Sequence, residues 1–408
     1  MIRIQIDDLP TFRKKYLKRV ANVALARVNI LLVSLKHLNG VGISTADIGY
    51  LRYKHITRKI INTVEGWNLP ESDFDTYNYV TTVTNYVKSP NNLLKINLKG
   101  LFDLMTFLTQ KKGANLKDLL ICLPDQLKQL NKKLLSNYKV DSVDDRTIIK
   151  LGFNYDLFKD VSNKIKTHFR VENLVLYCPY CNIGEADYSK TEHGTPATIH
   201  YLDHFFDKAS YPLLCYSAFN LVPGDNTCNS TINKGGTNFD DKFHLNPYIK
   251  GFSKTMVFEP ILGKIGSEIA EIHLNIKPVY GSTEYRQLIG KCKKINEASK
   301  FGNINVFKLR TKYNRSHVRK NASHFVDKVY ELISSRSSLN GFLTRMGLAH
   351  STDNYKKWYE WEAGGASFDE KNFNNHPYSK LFRDLHDDVL TKDTNPVNDD
   401  IRAIMSKS

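Results

Sequence analysis

The chain has 408 residues, 41% hydrophobic and 25% charged, with a formal net charge of +16 and a pI near 9.3. That length can bury two or three cores, and the balance is ordinary for a soluble globular protein. Six scattered cysteines are too few for a disulfide scaffold, and the positive charge favours an anionic partner, most commonly nucleic acid.

The charge is uneven. Residues 1–170 hold 28 Lys and Arg against 15 Asp and Glu; residues 171–250 hold 5 against 9; residues 251–408 hold 25 against 18. Asp7 and Asp8 interrupt the start, so no secretory signal is expected. The most apolar run, Ala21 to Leu35, contains Arg27 and Asn29 and falls short of the roughly 20 residues that span a bilayer. A cytoplasmic protein with no membrane partner is the expectation.

Phe12, Tyr16, Val20, Val23, Leu31, Leu35 and Leu38 recur at helical spacing, which predicts a helix over Thr11–Leu38 stopped by Gly40. The region from about 75 to 165 continues in this style. Helices are expected over Leu101–Leu108, Leu116–Leu135 and Leu157–Phe169, with breaks at Gly113 and Val140–Asp145. Residues 1–165 therefore read as a basic helical domain.

From Asn173 the texture changes. Short β-prone runs, Leu174–Tyr177 and Thr198–Tyr201, alternate with turn residues. Further on, Ile272, Leu274 and Ile276 alternate with His273, Asn275 and Lys277, as in a half-buried strand. Gln287–Lys300 and Lys312–Ser334 look helical. Trp358, Trp361 and the Gly364-Gly365 pair carry no assignment.

The chemistry is concentrated between Cys178 and Lys234. Cys178-Pro-Tyr-Cys181 offers two thiolates on one tight turn, which suits one side of a Zn²⁺ ion. The second pair expected at domain distance falls at Asp225 and Cys228. Asp225 can supply a carboxylate oxygen, with Cys215 or a nearby His as the alternative fourth ligand. Between these halves lies Asp203-His204. Adjacent residues on a strand face opposite ways, so His204 can activate a water while Asp203 faces a cation. The hard oxygens of Asp203 and the Asn229 amide suit Mg²⁺ or Mn²⁺. A buried Asn220 amide can bond a loop's backbone and so fix His204. Lys208 and Lys234 are candidate phosphate contacts.

These residues, with Leu202 and Phe205 around Asp203-His204, Tyr211-Pro212, Asn220-Leu-Val-Pro223, Cys228-Asn229-Ser230 and Asn246-Pro-Tyr248, resemble the HNH endonuclease family. The similarity is to its zinc-containing bacterial members, often found in restriction and phage-defence systems, and covers roughly residues 175–250. It implies a ββα-metal module with His204 as general base and Asp203 and Asn229 as ligands of a catalytic Mg²⁺ or Mn²⁺. It also implies Asn220 as an orienting residue and Cys178, Cys181 and Cys228 as structural zinc ligands. Asp225 stands where the family usually has Cys. The family's basic residue three positions after the Asn is here Ile232, with Lys234 two further on.

The fold expected is α+β and predominantly helical. A central ββα-metal nuclease module at 166–250 would lie between the helical domain, 1–165, and a mixed strand and helix region, 251–408, packing on the module. The expected activity is metal-dependent hydrolysis of DNA phosphodiester bonds, in phage defence or restriction by analogy, with a possible protein partner such as an ATPase. A zinc-stabilised nucleic-acid-binding module without catalysis, or a nuclease acting on RNA, are the alternatives.

Overall fold

A computed structural model describes residues 2–41, 96–155, 159–172 and, with short gaps, 174–278, together with 302–334, 344, 352–392 and 401. The fold is α+β and predominantly helical, with small two-stranded sheets. It divides into two compact units. One comprises Ile6–Asn173 and Leu202–Val222; the other comprises Met1–Gln5, Leu174–Tyr201 and Pro223–Ser408. This differs from division at residues 165 and 250, because the segment carrying the candidate residues belongs partly to each unit.

The first unit is built on α1, Leu9–Leu38. Phe12, Tyr16, Val20, Ala24, Val28, Leu31 and Leu35 form its buried stripe at steps of three and four residues. Against it pack α2, Leu98–Leu120, α4, Val143–Gly152, and α5, Lys159–Glu172; α3, Leu127–Asn137, packs on α2. Arg27, the charge that interrupts the apolar run of α1, is buried and donates to Asp160 at 2.6 Å. The break expected at Gly113 is present inside α2: Gln110 to Gly113 leave helical geometry, and Gly113 takes φ +72°. Ser142 and Asp145 form a reciprocal capping box that starts α4, which explains the break there. Leu116–Leu135 is two helices rather than one. The chain leaves α2 at Ile121 and restarts at Leu127, and Pro124 between them has no N–H for a helical bond.

A two-stranded sheet joins β1, Tyr201–His204, to β2, Leu221–Gly224. The residues between them form two short 3₁₀ turns, Pro212–Tyr216 and Ala218–Asn220.

In the second unit, Leu174–Tyr177 is not a regular strand; it contributes an isolated bridge from Tyr177 to Glu185. A single turn, α6, spans Asn226–Asn229. The long hairpin pairs β3, Met256–Ile265, with β4, Glu268–Pro278. Leu274 and Ile276 are buried, opposite Pro260 and Phe258, His273 and Lys277 are exposed and Asn275 is half-buried, so over residues 273–277 the sheet follows the alternation read from sequence. Helices α7, Asn303–Val306, α8, Leu309–Tyr313, and α9, Ser316–Ser334, follow. Next come α10, Thr352–Glu362, and α11, Ser379–Lys392. Helix α9 packs on β4 and α11 on β3. Gly364 and Gly365 end α10 with φ of +63° and +86°, and the Gly365 N–H bonds back to Glu360. That geometry is why the glycine pair stands there. The helix expected at Gln287–Lys300 and the run Thr198–His200 lie outside the described residues, as do residues 42–95.

Candidate metal centre and histidine hairpin

In the second unit the Cys178-x-x-Cys181 segment closes as a tight knuckle. The Asn182 N–H donates to the Cys178 carbonyl at 2.7 Å, and the Cys178 N–H to the Gly184 carbonyl at 2.7 Å. Asn182 sits at φ +55°, a conformation that Asn tolerates better than most residues. Its side-chain amide donates to the Phe373 and His376 carbonyls.

Asp225 caps the α6 turn by accepting from the Cys228 N–H at 2.8 Å through Oδ1. Its Oδ2 lies 3.2 Å from Cys181 Sγ. Gly184 allows this approach: a Cβ there would stand 2.6 Å from the Cβ of Asp225. Cys178, Cys181, Asp225 and Cys228 are all buried, and their ligand atoms lie within 4.8 Å of one another.

The four residues fit a metal ion. A tetrahedral ion with bonds of about 2.0–2.3 Å spaces its ligands by roughly 3.3–3.8 Å; Cys181 Sγ and Asp225 Oδ2 stand 3.2 Å apart, and no pair in the quartet exceeds 4.8 Å. The donor set is soft sulfur with one hard oxygen. Burial pushes the Cys178 and Cys228 thiols well up; Cys181 adds to the rise at Cys178 while the bond with Cys228 opposes it, and both neighbouring thiols add to the rise at Cys228. Burial acts upward on Cys181 too, but bonds from Cys178 and Cys228 and the nearby Lys312 charge outweigh it and hold that thiol well below its usual range. Four acidic groups crowded in a dry pocket are the arrangement a bound cation relieves.

Two residues of α8 complete the surroundings. The Lys312 ammonium donates to Cys228 Sγ at 3.0 Å, and the Tyr313 hydroxyl donates to the Cys181 carbonyl at 2.6 Å. Burial works against the Lys312 charge, yet the Cys228 and Cys181 thiols prevail and raise its pKa. Sequence reading missed Lys312, Tyr313 and Gly184; no spacing relates the first two to the cysteines.

The helical unit holds Asp203, His204 and Asn220. Asp203 and His204 are both buried on β1, 5% and 8% exposed. His204 Nε2 lies 3.0 Å from the Cys215 carbonyl oxygen. A carbonyl only accepts, so Nε2 carries the proton, and Nδ1 is the basic nitrogen of the neutral ring. The Tyr155 ring stands edge-on to the imidazole with centroids 5.0 Å apart.

Asn220 is fully buried. Its Oδ1 accepts from the Phe206 N–H at 2.7 Å, and its Nδ2 donates to the Phe206 and Leu214 carbonyls, both at 3.1 Å. One amide therefore ties the segment after His204 to the 3₁₀ turn that carries the Cys215 carbonyl. Tyr16 donates to the Tyr216 carbonyl at 2.6 Å, and Ser217 to the Leu119 carbonyl at 2.9 Å, fastening that turn to α1 and α2.

Lys208 is half-buried in a turn organised by Asp207, whose carboxylate accepts from the Ala209 and Ser210 N–H groups. In the second unit, Asn229 is half-buried at the last position of α6, and Lys234 is buried with Nζ 4.5 Å from the centre of the Phe239 ring. The helix expected to carry Asn229 is one turn long. The sequence beyond it, rich in Ser, Thr, Asn and Gly through Thr237, has low helix propensity. Cys215 is buried in the helical unit and is not a member of the metal quartet, so the fourth residue beside the three cysteines is Asp225.

Comparison with family models, curated proteins and solved structures found no match. Among the described residues, no helix is long and apolar enough to cross a membrane.

Proposed function

We propose that the chain is a divalent-metal-dependent endonuclease of the HNH type acting on DNA, with a structural zinc ion at Cys178, Cys181, Asp225 and Cys228. The observation that carries this reading is the His204 imidazole, held by the Cys215 carbonyl in a loop that Asn220 pins. A general base needs one nitrogen able to take a proton and a ring that does not turn; the Cys215 contact and the pinned loop support the second, and the Nε2–H tautomer puts the basic nitrogen at Nδ1.

In this reading Nδ1 of His204 takes the proton of the attacking water. Asn220 orients the imidazole through the backbone. Asp203 is an oxygen ligand for Mg²⁺ or Mn²⁺, which when bound neutralises charge on the phosphate and the leaving oxygen. Zinc suits the quartet through its three sulfurs, which disfavour Mg²⁺ and Ca²⁺. The net charge of +16 supports a polyanionic substrate, bound in a salt-dependent way. A setting in phage defence, with a protein partner such as an ATPase, follows from the resemblance alone.

The one-turn length of α6 favours a second reading, a zinc-stabilised module that binds nucleic acid without cutting it. Digestion of single-stranded and duplex DNA and RNA, in Mg²⁺, Mn²⁺ or a chelator, separates these readings when run beside a mobility-shift assay. Cation-dependent cutting of DNA supports the first. Cutting of RNA alone replaces the substrate, and binding without cutting gives the second reading.

A further inference from the structure

We infer that Lys312 is a positioning residue of the metal centre, holding Cys228 in place and slowing loss of the ion; this rests on the zinc reading above. Three thiolates and one carboxylate bring four negative charges to one point, and a divalent ion cancels two. The remainder is buried, where unpaired charge is costly. Lys312 is itself only 8% exposed, and its ammonium is 3.0 Å from Cys228 Sγ. A buried ammonium also requires a partner, so lysine and sulfur each offset the other's burial.

The geometry gives this contact a direction. Lys312 grips the Cys228 side of the quartet, while the adjacent Tyr313 grips the Cys181 carbonyl on the knuckle. A single short helix, Leu309–Tyr313, thus touches both halves of the ligand set. A hydrogen bond to a ligand atom fixes its orientation and holds it on the ion. Cys228 cannot swing away without separating from the ammonium, so the charge opposes the motion that opens the site.

The test measures zinc per chain in the full-length protein, then the rate of release to excess chromogenic chelator. Lys312→Met is expected to release zinc at least about tenfold faster than the unaltered chain, the usual size of a lost ligand-supporting contact. Lys312→Arg, which keeps the charge, is expected to stay close to the unaltered rate. Lys312→Gln keeps a donor without the charge and is expected to resemble Met; it also serves as the reading if the Met variant does not fold. Zinc held fully and released at the unaltered rate by Gln, or by Met, would overturn the inference. A parent chain that binds no zinc would overturn the metal reading itself.

Discussion

The Nε2 of His204 stands 3.0 Å from the carbonyl oxygen of Cys215. Since the oxygen has no proton to give, the neutral ring must be the Nε2–H tautomer. Long-range ¹⁵N–¹H NMR of the side chains at neutral pH is expected to show a protonated Nε2 and a basic Nδ1 for His204. A protonated Nδ1 with a basic Nε2 would remove the assignment of Nδ1 as the base.

Asn220 makes three buried bonds to two segments of one loop. Asn220→Ala leaves the Phe206 amide and two carbonyls without this partner, at about 1–3 kcal/mol for each buried group left unsatisfied. The urea midpoint should fall by the equivalent of about 3 kcal/mol. A fall worth under about 0.5 kcal/mol, the size of ordinary surface changes, would show that the loop is held by other contacts.

Gly184 faces Asp225 so closely that a Cβ would overlap it, and the clash falls on a short side chain tied at both oxygens. Gly184→Ala should displace the carboxylate and destabilise the protein by about 1–3 kcal/mol, as overpacking does. Asp225→Cys keeps a fourth ligand of a kind zinc accepts. Zinc analysis after gel filtration should find less than one ion per chain in the alanine variant and full loading in the cysteine variant. Full loading of Gly184→Ala would mean that Asp225 is not needed to hold the ion.

His168 is buried between Phe12 and Tyr16, with the Arg19 guanidinium 3.0 Å from Nδ1. Burial, followed by the charges of Arg19 and Lys15, pushes its pKa down to about 3. The unfolded chain takes up this proton near pH 6.5 and the folded chain does not, so stability falls as pH drops below about 6.5. The loss reaches at most about 1.4 kcal/mol per pH unit down to about pH 3. His168→Gln should flatten the fall between about pH 7 and pH 5 in urea titrations. An equal slope in the variant would place the acid sensitivity elsewhere.

Amphipathic spacing made α1, α5 and α9 legible, because a buried stripe repeats whatever it packs against. Gly113 and the Val140–Asp145 stretch marked real breaks, since both signals are local; the structure adds that the second holds the Ser142–Asp145 capping box. Pro124 also marked one, but the leucines on either side, 116 to 120 and 127 to 135, masked it. The metal quartet was readable because its members come as two pairs, each with two residues between them. The surroundings were not. Lys312 lies 84 residues from Cys228, in a stretch where a lysine looks solvated. Arg27 lies 133 residues from the Asp160 that justifies its burial. Pairs so distant leave no mark on local pattern, and only tertiary packing makes them partners.

The most direct test of the account is plasmid cleavage in Mg²⁺ or Mn²⁺ by the unaltered chain and by His204→Ala, with DNA binding measured alongside. The account predicts cutting by the first, none by the second, and similar affinity for both, since the imidazole serves the water and not the backbone contacts. Undiminished cutting by His204→Ala would contradict it.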